Sequence, residues 1–304
     1  MKASDGAPRT FPSQYSSPCC PRLLTSIITA GGYEVGDVLQ LHILQTNTDL
    51  LPQYDIVSVT ISELITCTMA TVVRVNLDTG GCAVLKLYDR RYGSGLRESS
   101  YEIIPYCDQA KAAFHAFLKR GAMGPFLQEL DDEDSTADVI PRTTGHIRAE
   151  PDGLARFEAL LWRFADKHFK TETEAYMRMQ DLQGILIPKL YAVVRVVNSK
   201  ENPREDEYLD IHGILLESIQ GHSLDDLITA PCAPSTKQEW LSIVQRAVDS
   251  AHEINKRGII LDDSAPRNVV VDQTSHQVFH VDFAQCFFKD TMFIAWCWDT
   301  DAED

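Results

Sequence analysis

The chain is short of positive charge. Its 304 residues carry 28 Lys and Arg against 44 Asp and Glu, a formal charge of −16. Holding a phosphate backbone or an anionic lipid surface takes a basic face, so this balance excludes nucleic acid and anionic membranes as general partners. No apolar run reaches the roughly 18 residues of a membrane span. The N-terminal stretch MKASDGAPRTFPSQYSSPCCPR lacks the apolar core of a secretory leader, and LLTSIITA starts too late and is too short to supply one. Of the eight cysteines, none falls in a CxxC pair or a Cys/His metal spacing. Several lie in apolar strand-like runs, where a free thiol behaves as a small hydrophobe. They are read as reduced thiols of an intracellular chain, cytoplasmic or nuclear, rather than as a disulfide framework.

What is present is patterned. Residues 1–32, rich in Ser and Pro over the first 22, are read as a disordered tail. YEVGDVLQLHIL (33–44) reads as one strand or two. Residues 55–89 read as three antiparallel strands, DIVSVTISEL, MATVVRVN and CAVLKLYD, the last two joined by the hairpin turn LDTGG. The third strand places Lys86 within an apolar run, where a buried ammonium is costly unless it meets an anion.

Residues 90–165 form an insertion. DQAKAAFHAFLKRG reads as a helix capped by Asp108, and LQELDDEDSTAD as a solvated acidic loop. PDGLARFEALLWRFADKHF is a helix whose apolar face carries Leu154, Phe157, Leu160, Leu161 and Phe164. A second helical stretch, TETEAYMRMQDL, follows and ends at Gly184. ILIPKLYAVVRVVN and IHGILLESIQG read as strands around the polar loop NSKENPREDEYLD, with Ser223 as the N-cap of the helix that comes next. TKQEWLSIVQRAVDSAHEINKRG is an amphipathic helix with a buried stripe of Trp240, Leu241, Val244, Ala247, Val248, Ala251 and Ile254.

The chain continues with GIILDDSAPRNVVV, a polar turn, then VFHVDFA. Short strands around an acidic loop bring Asp263, Asn268 and Asp282 towards one point. Such hard oxygen donors suit Mg²⁺, which is usually held by a few protein oxygens plus phosphates.

These motifs resemble the protein-kinase superfamily, whose catalytic loop reads H-R-D-x-x-x-x-N and is followed after a hairpin by D-F-G. The Asp263-to-Asn268 spacing matches. Leu261 and Asp262 stand in place of His and Arg, and Ala284 in place of the Gly. The A-P-R-N-V form is similar to divergent kinase-like proteins common in fungi. AVLK resembles the V-A-I-K strand, whose Lys meets the α- and β-phosphates and a helix Glu; Glu174 is favoured as that partner, with Glu172 the alternative. The phosphate-covering G-x-G-x-x-G is replaced by SELITCTM (62–69), which has no glycine and leaves Thr66 and Thr68 as hydroxyl substitutes.

The resemblance implies an α+β, bilobal kinase-like domain over 33–304. It would have an antiparallel-sheet N-lobe to about 220 and a minimal helical C-lobe over 221–304. ATP and Mg²⁺ are the implied cofactors. Lys86 would orient phosphates, and Leu216 would lie beside the adenine. The main chain of Glu217 and Ile219 would meet the adenine edge. Asn268 and Asp282 would hold Mg²⁺, and Asp263 would receive the proton of an attacking hydroxyl. Arg267 would answer the γ-phosphate or pair with a neighbouring Asp. Twenty residues follow Ala284; they contain no A-P-E, and residues 292–298 read as a short helix. The implied function is transfer of the ATP γ-phosphate to a hydroxyl, protein Ser/Thr first, with an unidentified protein or small-molecule acceptor. The alternative is a pseudokinase acting as a binding module. An unrelated α+β protein is a third reading.

Overall fold

A computed structural model describes residues 32–48, 51, 55–99, 101–136, 142–197 and 207–291. The chain divides into two units, Met1–Gly32 and Tyr33–Asp304, and every described strand and helix lies in the second. The expected tail, the loop at 198–206 and the expected helix at 292–298 lie outside the described residues.

Period-two burial builds the first half. In β1 (Val38–Thr46), β2 (Ile56–Cys67), β3 (Thr71–Leu77) and β4 (Cys82–Tyr88), Leu41, Ile43, Val59, Ile61, Val73, Val75, Leu85 and Leu87 are all buried. Alternate side chains of a strand share one face, so these residues line one interior. The β3–β4 turn uses Gly80 and Gly81 at φ of 97° and 89°, which a Cβ disfavours. After the two-residue strands β5 (Glu98–Ser99) and β6 (Glu102–Ile103) comes a helical insertion.

Helix α1 (Asp108–Lys119) forms as read, but the residue before it, Cys107, occupies the cap position without a side-chain hydrogen bond, and Asp108 is the first helical residue. Helix α2 (Met123–Asp134) takes up most of the expected acidic loop. Met123, Phe126 and Leu130 are buried at helical spacing, while Asp131 and Asp134 pair with Arg163 and Glu133 with Arg142. Apolar periodicity outweighs charge content there. Helix α3 (Thr144–Ala149) is short. Helix α4 (Gly153–Arg178) is one continuous helix of 26 residues where two stretches were expected; beyond Gly153 it contains neither Gly nor Pro to break it.

Strands β7 (Leu190–Val196) and β8 (His212–Glu217) complete a closed antiparallel barrel in the order β1-β2-β3-β4-β8-β7. Segment 33–44, whose place is open in the sequence, contributes β1. It pairs with both β2 and β7, Leu41 lying opposite Val196, and so removes the sheet's free edges.

The remainder is smaller. Strand β9 (Gly221–Ser223) precedes a 3₁₀ turn at Asp226–Thr229, whose Asp226 N–H is accepted by Ser223 Oγ at 3.1 Å. Helix α5 (Lys237–Lys256) opens with a capping box: Thr236 accepts the Glu239 N–H, and the Glu239 carboxylate accepts the Thr236 N–H. Its buried residues are Ile243, Ala247, Ser250 and Ile254. Leu241, Val244 and Val248, expected in the core, are about half exposed, so the buried face is rotated from the expected stripe. Strands β10 (Ile259–Leu261), β11 (Val269–Asp272), β12 (Val278–His280) and β13 (Cys286–Phe288) form a three-stranded sheet, β12-β11-β9, and the pair β10-β13. Among the described residues no helix is long and apolar enough to cross a membrane. Cys67, Cys82, Cys107, Cys232 and Cys286 are free thiols.

Candidate functional site

Lys86 stands between Leu85 and Leu87 in β4, which face the barrel interior, so the pleat turns it outward towards α4. It is nevertheless 5% exposed. Its Nζ lies 2.6 Å from Glu172 and 2.7 Å from Asp282. Glu172, fully buried, also accepts the Tyr88 hydroxyl and the Phe283 backbone N–H at 3.2 Å. Burial opposes the charge on Lys86, but Asp282 and Glu172 outweigh it and raise its pKa, so the ammonium stays charged. Burial pushes the Glu172 carboxyl up against the pull of Lys86, whereas for Asp282 the pull of Lys86 prevails over burial and lowers the pKa.

The expected partner of Lys86, Glu174, is not its partner. Glu174 has a side chain 48% exposed and binds Arg178, which also holds Asp290 at 2.9 Å. The reason is helical phase. In the uninterrupted α4, the face of Phe157, Leu161 and Ala165 carries forward through Glu172 to Tyr176 and Met179. Two positions further on, Glu174 points away. Running the 3.6-residue period through residue 170 in the sequence identifies Glu172.

The same phase brings in His168, one turn before Glu172, to which no motif in the sequence points. Burial first and Lys86 second lower its pKa from 6.5 to about 4, and its Nδ1 has no hydrogen-bond partner among the described residues.

A second cluster lies after β10. Asn268 Nδ2 donates to the Asp263 carbonyl at 2.9 Å and to its Oδ2 at 3.0 Å, and Arg267 forms an ion pair with the other oxygen of the same carboxylate. Arg267 thus takes the second of its two expected roles, pairing with an Asp. Asp262 is exposed. The β11–β12 hairpin joins the two clusters, because the Val281 N–H donates to the Asn268 carbonyl at 2.9 Å and Asp282 is the next residue. Asp282 adopts φ of 65°, unusual for a residue with a Cβ and a conformation that gathers at functional sites. Phe283, 1% exposed, fixes the turn by packing edge-on against Tyr176 at 5.4 Å.

Leu216 is buried in the same apolar cluster as Phe283 and Tyr176. The Glu217 N–H donates to the Lys189 carbonyl at 2.9 Å. Ile219 is half-buried, and its N–H and C=O take no hydrogen bond among the described residues.

The glycine-free turn between β2 and β3 is pinned. The Thr68 carbonyl accepts N–H groups of Gly95 and Leu96, each at 3.2 Å, and the Cys67 carbonyl accepts that of Ser94 at 3.0 Å. Gly93, at φ of 112°, passes so close that a Cβ would sit 2.4 Å from the Thr68 oxygen. Met69 packs on Leu96, Phe157 and Leu161. The tip is seated on the insertion.

Among the described residues there is no group of three or more His, Cys, Asp or Glu able to hold a metal ion by itself. Asn268 and Asp282 still suit an ion that takes few protein ligands. The Asn268 amide nitrogen is spent on Asp263, which leaves its oxygen without a partner among the described residues. Asp282 Oδ1 takes Lys86, and its Oδ2 has no partner among those residues. The triad of Lys86, Glu172 and Asp282 carries one cation for two carboxylates, and that excess negative charge favours a further cation.

No protein-family model and no curated protein matches the chain. Among solved structures, it is similar to the PknI kinase domain (C20A mutant) of Mycobacterium tuberculosis, with 14% identity and a TM-score of 0.36. The likeness covers 74% of this chain, which spans 59% of that domain. A resemblance this loose carries no argument about the site.

Proposed function

We propose that this chain is a bilobal kinase-like protein that binds ATP with Mg²⁺ and transfers the γ-phosphate to a hydroxyl, protein Ser/Thr first. The observation that carries the reading is the buried ammonium of Lys86, held between Glu172 and Asp282 from two distant segments. A buried Lys fixed by two carboxylates is costly to assemble as mere packing, and it presents a cation where phosphate oxygens can be met. Bound Mg²⁺, held by Asp282 and Asn268, would neutralise phosphate charge. Lys86 would orient the α- and β-phosphates. Leu216 would flank the adenine, with the main-chain N–H and C=O of Ile219 and the carbonyl of Glu217 at its edge. Asp263 would accept the proton of the acceptor hydroxyl, its carboxylate oriented by Asn268 and Arg267.

A second reading, a pseudokinase that binds partners without transferring phosphate, is favoured by the pinned β2–β3 turn. A glycine loop lets its backbone approach phosphate and offer N–H groups, whereas this tip has no glycine and is fixed to residues 94–96 through the Cys67 and Thr68 carbonyls. Incubation with γ-labelled ATP, Mg²⁺ and a generic protein acceptor separates the two. Transfer that is lost in Asp263→Asn while nucleotide binding persists supports the first. Binding without transfer in the wild type selects the second.

A further inference from the structure

A cavity of about 260 Å³ opens where the helical insertion meets the barrel, and neither Lys86 nor Asp282 lines it. This is just below the usual span of ligand pockets, roughly 300–1,000 Å³, which suits a ligand no larger than a single ring with its anionic group. Its walls are aromatic: Trp162 stands edge-on to Tyr208 at 4.9 Å, and Phe169 stacks on His212 at 4.9 Å.

Its charge is unbalanced in one direction. Each of the three carboxylates lining it already has a cation: Asp89 holds Arg91, Asp166 holds Lys170, and Asp210 holds Arg195. Arg90, only 8% exposed, has no carboxylate to itself among the described residues. The nearest carboxylate, Glu158, is 3.7 Å from its Nε and is bound by Arg97 at 2.6 Å, so two buried guanidinium groups share one anion. Arg90 Nε has no hydrogen-bond partner among the described residues, and the guanidinium lies 4.1 Å from the centre of the Phe114 ring. Lys111, at the rim, makes no ion pair among the described residues. A buried cation in excess, in a protein whose net charge is −16, is a standing demand for an anion.

We propose that this cavity binds a small organic anion with an aromatic body, its carboxylate or phosphate meeting Arg90 and Lys111 and its ring meeting Trp162 and Phe169. The occupant would also touch Tyr88, which lines the cavity and whose hydroxyl bonds Glu172, the carboxylate that holds Lys86. Phe169 packs on the same tyrosine at 5.6 Å. Binding in the cavity therefore bears on the Lys86 ion pair through one side chain.

The test titrates the full chain, without nucleotide, with benzoate and with phenyl phosphate, and with inorganic phosphate as control. Saturation-transfer NMR reads the probe. Saturable binding of an aromatic anion is expected, and the tighter probe identifies the anionic group. Lys111→Glu, at an exposed position, should weaken it about tenfold or more, which is about 1.4 kcal/mol. Ala165→Leu, which fills the cavity from α4, should abolish it, with a thermal melt confirming the fold. No saturation by either aromatic probe up to about 10 mM, a strength short of weak specific binding, overturns the proposal. So does binding that survives both variants, or inorganic phosphate binding as tightly as the aromatic probes. Because nucleotide is absent, failure here leaves the nucleotide reading untouched.

Discussion

Lys86 and Glu172 meet at 2.6 Å with almost no exposure, although they are 86 residues apart in sequence. The contact ties the barrel to α4, and Asp282, 2.7 Å from the same ammonium, ties both to the β11–β12 hairpin. Removing one partner of a buried pair leaves an uncompensated charge, which costs about 3–5 kcal/mol. Since Lys86 would keep Asp282, Glu172→Gln should cost about 3 kcal/mol, the low end of that range. Glu174→Gln, at an exposed helix position, should stay within about 0.5 kcal/mol. Urea unfolding of the two variants checks the assignment; equal losses would contradict it.

The split between the two glutamates shows what is legible in the sequence. The type of each strand in the barrel, the helix around residue 160 and the hairpin carrying Asp282 follow from period-two and period-3.6 patterns read locally. Barrel closure by β1 does not, because pairing between residues 41 and 196 leaves no local trace. Glu172 gives way to Glu174 when α4 is divided into two stretches, because a break resets helical phase. The acidic segment of α2 reads as a loop because its carboxylates mask Met123, Phe126 and Leu130. The exposed Leu241, Val244 and Val248 reflect which face of α5 the β-strands meet, which no single-helix pattern encodes.

His168 sets a pH dependence. Its pKa in the folded chain is lowered from 6.5 to about 4, so between those values the unfolded chain binds more protons. Stability is therefore full above about pH 6.5 and falls as pH drops towards 4. His212 and His280, also lowered by burial, add to the same trend. Thermal melts from pH 7.5 to 4.5 should show this slope, and His168→Gln should flatten it without abolishing it. An unchanged slope in His168→Gln would contradict the account.

The seat of the β2–β3 turn depends on Gly93. A Cβ there would meet the Thr68 oxygen at 2.4 Å and strain a φ of 112°. Gly93→Ala should cost about 1–3 kcal/mol, the range for enforced backbone strain. Gly80→Ala, at a φ of 97° with nothing within 4 Å of the added atom, should cost less, since it meets strain without a clash. Denaturation midpoints of the two variants rank them, and the reverse order would mean that the turn is not held by residues 93–96.

Leu241, Val244 and Val248 are exposed on α5. Replacing Val244 by Lys should therefore change stability by no more than about 0.5 kcal/mol, the usual span for a surface site. A loss of several times that would show that this face is covered in the whole protein. Chemical denaturation of Val244→Lys reads the difference.

Whether Lys86, Asn268 and Asp282 form a nucleotide site is tested most directly by a thermal-shift titration with ATP, once with Mg²⁺ and once with EDTA. At about 100 times its Kd, a ligand that binds only the folded chain adds about 2.7 kcal/mol. A rise in Tm that requires Mg²⁺ and disappears in Asp282→Ala is the predicted result. No rise at millimolar ATP, or a rise indifferent to Mg²⁺ and to Asp282, would contradict it.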